Sequence, residues 1–238
     1  MAVDTTTIFQ HGTLGLLVPG LYDGTITAGE LLTHGDTGIG TLNGLDGEVI
    51  ILDGHAYQAR EDGQIREIAT DETLPFASVH FEKPDASADL TPMSQADFEA
   101  QMLKDYQLQN MFAAIRVDGT FKKIHTRVAP RQQRPYKTLV QATATQPEFK
   151  GENVTGTIVG YYAPHLFQGA TVGGYHLHFL SADHQLGGHL LGFEIDQATV
   201  KVQRFADFKV HLPIDNAAYL QEQFDNQEID SAINKAER

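Results

Sequence analysis

The chain has 238 residues, 41% of them hydrophobic and 20% charged, enough to bury a sizeable core without cross-links. Its 17 basic against 31 acidic residues leave a net charge of −14 at pH 7, a field that repels nucleic-acid backbones and anionic lipid surfaces. With no cysteine, disulfides, thiolate metal sites and Cys nucleophiles are excluded, so a metal would have to bind through His, Asp or Glu.

No stretch approaches the ~18 uninterrupted apolar residues of a membrane span. The first residues lack the basic and then apolar pattern of a secretory signal, so a soluble, cytoplasmic protein is expected. In chain order, Thr27-Ala28-Gly29-Glu30 is a capping box that opens a short helix through Leu32. Across residues 38–68, short apolar runs alternate with Asp46-Gly47, Asp53-Gly54 and Asp62-Gly63, which reads as an antiparallel meander. Asp23-Gly24 and Asp118-Gly119 carry the same turn chemistry. A second group of strands is expected from Phe76-Ala77-Ser78-Val79-His80-Phe81 onward. Ser94 caps a longer helix through about Tyr106, with Phe98, Met102 and Leu103 on one face. Pro135-Tyr136 leads into a third helix near residues 138–144, and residues 216–224 and 229–236 read as short terminal helices. Residues 156–211 are again strand-like, with Gly-Gly pairs at 173–174 and 187–188 interrupting them.

The pattern predicts an α+β protein with few helices and two sheet-rich subdomains that share an interface. Residues 1–150 would form a mixed N-terminal sheet that includes the Arg127 segment. Residues 151–238 would form a largely antiparallel sheet carrying the histidine cluster and the C-terminal tail. The polar stretch 147–153 marks the soft boundary between them.

Five of the eleven histidines, His165, His176, His178, His184 and His189, fall in about a tenth of the chain. In Gly174-Tyr175-His176-Leu177-His178-Phe179 the two histidines are two apart, so on a strand both imidazoles leave the same face about 7 Å apart. Residues 181–187 have the polarity and glycine of a hairpin turn, and folding there brings His189 across from that face. Three imidazoles with a fourth position open describe a catalytic zinc site, since structural zinc sites are closed and rich in thiolate. Zn²⁺ is therefore the expected cofactor, with other divalent ions as substitutes. His184 falls on the turn and His165 after a proline, while His11, His34, His55, His80, His125 and His211 stand alone and have ordinary structural roles. A cupin site also begins with His-x-His, but it adds a Glu three or four residues later, where this chain has Ala182 and Asp183.

An anionic substrate would need a fixed cation, for which Arg is suited by its bidentate geometry. Arg127, in the Pro-rich run His125-Thr126-Arg127-Val128-Ala129-Pro130, is one candidate. Glu48, directly after Asp46-Gly47, is a candidate acid or base, with a solvated hairpin residue as the alternative.

Together these motifs resemble the acetolactate decarboxylase family. The resemblance runs over nearly the whole chain, from Gly24 to Glu30 with His34-Gly35-Asp36, then Gly38-Ile39-Gly40-Thr41-Leu42-Asn43 and Leu45-Asp46-Gly47-Glu48, through His125-Thr126-Arg127 with Pro130, Gln132 and Pro135-Tyr136, to His176-Leu177-His178, Gly187-Gly188-His189 and Ala232-Ile233 near Glu237. It implies that His176, His178 and His189 are zinc ligands, that Arg127 and Glu48 are active-site residues, that Thr41 lines the cavity, and that Glu237 is the family's second glutamate. It further implies decarboxylation of 2-acetolactate, a 2-hydroxy-3-oxo acid, to acetoin and CO₂, on the acetoin and butanediol route. Zinc would act as a Lewis acid on the ketone and hydroxyl oxygens, Arg127 would orient the carboxylate and a glutamate would assist proton transfer. The partner would be a small molecule, with no nucleic acid or membrane, and the enzyme a homodimer. Two other classes stay open from the residues alone: a cupin-like metal-dependent isomerase or oxygenase, and a metal-binding module without turnover.

Overall fold

A computed structural model describes residues 3–236. In chain order the elements are β1 (Thr7–His11), α1 (Leu14–Leu17), β2 (Ile26–Thr27), α2 (Ala28–Leu32), β3 (Thr37–Leu42), β4 (Asp46–Leu52), β5 (His55–Ala59) and β6 (Ile65–Glu67). Next come β7 (Thr73–Leu74), β8 (Phe76–His80), β9 (Ala86–Leu90), β10 (Met93–Ser94), α3 (Gln95–Asp105), β11 (Phe112–Arg127), α4 (Leu139–Thr143) and β12 (Glu148–Ala163). The chain ends with β13 (Gly174–Ser181), β14 (Gly187–Phe205), β15 (Asp207–His211), α5 (Ala217–Gln221) and α6 (Asn226–Ala236).

The expected α+β class holds, with several sheets and few helices. The first sheet runs β15-β1-β8-β3-β4-β5-β6 and is mixed, because β1 and β15 are parallel while its other pairs are antiparallel. The second runs β10-β14-β11-β12-β13, wholly antiparallel, and the additional β13–β14 pairing closes β11 to β14 on themselves. Phe121, Phe179, Phe193 and Ile195 belong to the core of this closed unit. A second layer, including Ile39, Ile50, Val159, Tyr161 and Leu180, joins the two sheets face to face. Leu14 and Leu17 of α1, Leu139 of α4 and Ile229 and Ile233 of α6 form a third cluster.

The caps act as their residue types dictate. Thr27 Oγ1 accepts from Glu30 N at 3.2 Å, Ser94 Oγ accepts from Asp97 N at 3.2 Å, and Thr138 with Gln141 forms a capping box before α4. The meander is β3 to β6.

Several expectations change. Asp118-Gly119 is no turn but lies in the middle of β11. Its glycine is there for a close approach, since a Cβ at Gly119 would lie 2.3 Å from the carbonyl oxygen of Gln197 on β14. The 76–81 segment does not start a second group, because β8 sits between β1 and β3 in the first sheet. The Gly-Gly pairs stand at the openings of β13 and β14 and do not interrupt them. Residues 148–153, read as a polar divide, are the exposed first half of β12, whose polarity reflects solvent contact and not a break. Position 150 thus falls inside a strand, residues 86–127 already contribute to the second sheet, and β15 returns to the first.

Candidate functional site

The alternation of β13 divides its side chains between two environments. Leu177 and Phe179 enter the closed core, whereas Leu180, two residues after His178, packs against the first sheet. His176 and His178 share that second face. Across the hairpin His178 lies directly opposite His189, and on the far side of β14 His189 lies directly opposite Arg127. Directly paired residues project to the same side of a sheet, so three adjacent strands deliver His178, His189 and Arg127 in one row with His176 beside it.

One ligand nitrogen from each of the three histidines lies within 4.8 Å of the other two, and the side chains are 7%, 1% and 5% exposed at His176, His178 and His189. His178 Nδ1 lies 2.9 Å from the carbonyl oxygen of Val49 on β4. A carbonyl only accepts, so Nδ1 carries the proton and Nε2 presents a lone pair. That Nε2 is buried with no hydrogen-bond partner. Glu48 Oε2 lies 3.5 Å from it. Burial, with the Arg127 charge beside it, pushes His176 down to about 3, and burial together with His176 holds His178 well below the ordinary imidazole range. Both are neutral at pH 7, the form that binds metals. A buried lone pair with no donor, a carbonyl that fixes its tautomer and two further imidazoles nearby fit a divalent metal with an all-nitrogen protein donor set.

The first sheet supplies the opposite wall. Thr41 on β3 pairs with Glu48 on β4, and the ladder slips by one residue immediately beside them, where Leu42 faces Asp46. This bulge needs Gly47, whose φ is +78° and whose Cβ would otherwise meet the carbonyl oxygen of Ala59 at 2.2 Å. Glu48 is consequently buried and not a solvated hairpin residue. Its Oε1 accepts from Ala129 N at 3.1 Å. The Thr41 hydroxyl donates to the carbonyl of Gly47 at 2.8 Å, leaving its lone pairs to accept. Arg127 is 3% exposed and donates from Nη1 to Gln146 Oε1 at 2.8 Å. Thr41, Glu48, Arg127 and the three histidines line one cavity, together with Leu14, Leu17, Leu45, Phe76, Leu139 and Thr143.

Six of the seven sequence-derived site residues therefore converge, and the seventh, Glu237, lies outside the described residues. Five of the remaining histidines have other surroundings: His184 is exposed on the β13–β14 turn, His80 bonds Tyr161 at 2.9 Å, His55 and His125 bond Glu67 and Glu148, and His34 stacks on Phe9, while His165 lines a neighbouring pocket that His189 also borders. His11 and His211 are an exception to their expected isolation, because parallel pairing of β1 and β15 brings their Nδ1 atoms to 3.0 Å. Sequence reading missed Gln146, the Val49 carbonyl and the apolar wall. A cap at Thr138 signals α4, but nothing local says that its end abuts Arg127.

Residues 8–226 match the family described as Alpha-acetolactate decarboxylase. The alpha-acetolactate decarboxylase of Lactococcus lactis subsp. cremoris is 41% identical over 236 residues, covering 98% of this chain and 99% of that protein. The one from Bacillus subtilis is 37% identical over 231 residues, covering 97% and 90%. Among solved structures, the B. subtilis alpha-acetolactate decarboxylase superposes with a TM-score of 0.94 at 37% identity, covering 98% of this chain and 99% of that one. A Staphylococcus aureus protein of unknown function, similar to alpha-acetolactate decarboxylase, does so with a TM-score of 0.94 at 41% identity, covering 97% and 99%.

Proposed function

This chain belongs to the alpha-acetolactate decarboxylase family, and from that premise and the cavity just described we propose that it decarboxylates 2-acetolactate to acetoin and CO₂ with zinc held by His176, His178 and His189. The observation that carries the reading is the convergence of three buried imidazoles with Arg127 and Glu48 around one cavity. A divalent ion held by His176, His178 and His189 would supply a Lewis acid for the ketone and hydroxyl oxygens of such a substrate.

Arg127 binds the carboxylate. In a chain of net charge −14 an anionic substrate depends on local positive charge, and a guanidinium fork matches a carboxylate in two parallel hydrogen bonds. The clamp also orients the reaction. The bond to CO₂ must stand along the π orbital of the neighbouring ketone, so that the pair it releases passes into that carbonyl as CO₂ departs. The resulting enolate then takes one proton on the former carboxyl-bearing carbon, which gives acetoin.

Glu48 is the proton donor or relay in this reading. Its Oε1 is anchored on Ala129 N, and its Oε2 lies beside the histidine cluster. Leu14, Leu17, Phe76 and Leu139 form an apolar wall that excludes water and accommodates the two methyl groups. Glu237, the second glutamate that the resemblance implies, is the alternative donor in this proposal.

The test is acetoin and CO₂ release from 2-acetolactate under anaerobic conditions. Equal amounts of the two products without oxygen are expected. A strict need for oxygen would favour the oxygenase reading, and absence of turnover the metal-binding module. Arg127→Lys should lower kcat/KM at least about tenfold, while Arg131→Lys, 63% exposed in its side chain, should leave it unchanged.

A further inference from the structure

One partner of the Arg127 side chain is a residue that belongs to neither sheet. Gln146 stands in the corner between α4 and β12, and its Oε1 accepts from Arg127 Nη1 at 2.8 Å. The same corner is tied to the strand end that carries the arginine, because Val128 N donates to the carbonyl of Pro147 at 3.1 Å. It is also tied to α4, where Gln146 N donates to the carbonyl of Thr143 at 3.4 Å, and Thr143 itself lines the cavity. Gln146 is therefore tied to the wall of the site.

We propose that Gln146 is the positioning residue of the carboxylate clamp, an inference that rests on the reading of Arg127 given above. A guanidinium is a planar fork of five N–H donors, so anchoring one Nη1–H on a fixed acceptor constrains the direction in which the rest of the fork points. The chemistry of the acceptor matters as much as its position. An amide carbonyl orients the fork without bringing a charge, whereas a carboxylate there would form a charge-assisted pair roughly twice as strong and compete with the substrate's own carboxylate. Gln supplies orientation while adding no negative charge to the site.

The test measures KM and kcat for 2-acetolactate, inhibition by acetoin, zinc content and melting temperature in Gln146→Leu, Gln146→Glu and Arg127→Lys. Acetoin lacks the carboxylate, so it reports on the cavity without the clamp. Gln146→Leu should raise KM about tenfold or more, the cost of a hydrogen bond to a charged group, with acetoin inhibition and zinc content unchanged. Gln146→Glu preserves shape and should raise KM as well through competition for Arg127, which keeps the test alive if the leucine variant does not fold. If Arg127→Lys raises KM while both Gln146 variants match the wild type, the positioning role is overturned and the clamp survives. If KM, acetoin inhibition and melting temperature all worsen together, Gln146 is merely structural and the inference fails. If Arg127→Lys leaves both KM and kcat unchanged, the reading of Arg127 falls and takes this inference with it.

Discussion

Replacing Glu48 by glutamine separates its chemical role from its structural one. The anchoring contact is Glu48 Oε1 accepting from Ala129 N at 3.1 Å in a buried setting, and a glutamine carbonyl oxygen occupies the same place. At that contact the structural loss is the charge assistance of the bond, about 1 kcal/mol or less. At about 2–4 °C per kcal/mol for a chain of this size, the melting temperature should move by only a few degrees. The chemical loss is much larger, because an amide cannot deliver a proton: general acid catalysis contributes about 10²–10⁴-fold, or ~3–5 kcal/mol of barrier. Glu48→Ala should add a stability cost of about 1–3 kcal/mol, since it strands the Ala129 N–H without an acceptor. Acetoin formation gives kcat, and thermal melting gives stability. A glutamine variant that keeps kcat within about threefold of wild type would refute the assignment of proton transfer to Glu48.

Gly160 lies opposite Leu177, one residue from two ligand candidates, and a Cβ there would lie 2.1 Å from the carbonyl oxygen of His176. Gly160→Ala should push β13 outward, costing about 1–3 kcal/mol and weakening zinc retention; unchanged zinc affinity by titration would argue against β13 as a ligand-bearing strand. The buried His80 is held down to about 3 by burial alone. Its folded-state value lies below its unfolded 6.5, so the stability it contributes is complete above pH 6.5 and is lost as pH falls toward 3. From pH 7 to pH 5 this is about 2 kcal/mol, and urea unfolding of His80→Gln should show a correspondingly shallower pH dependence than wild type. Identical slopes would mean that His80 is protonated in the folded protein.

Much of the site was legible because strand periodicity and hairpin geometry are local rules. His-x-His needs only alternation to share a face, and a turn at 182–186 needs only its polarity and glycine to bring His189 opposite His178. Arg127 and Glu48 were legible as motif residues, but their meeting depends on which sheet packs on which, a long-range choice that no local pattern encodes. Asp118-Gly119 shows the limit most plainly. The same dipeptide that makes the Asp53-Gly54 turn, where both residues have φ above +50°, sits in an unbroken strand when the glycine is needed for contact with Gln197. The tautomer of His178 is likewise set by a backbone carbonyl of Val49, and a main-chain atom leaves no trace in residue identity.

The most direct measurement joins metal content to turnover. The purified protein should hold about one zinc per chain, lose acetoin formation on chelation, melt ~10 °C lower without metal and recover both on adding zinc. The same preparation of His189→Gln should neither retain the metal nor regain activity. A metal-free protein that forms acetoin at the full rate would contradict the account at its centre.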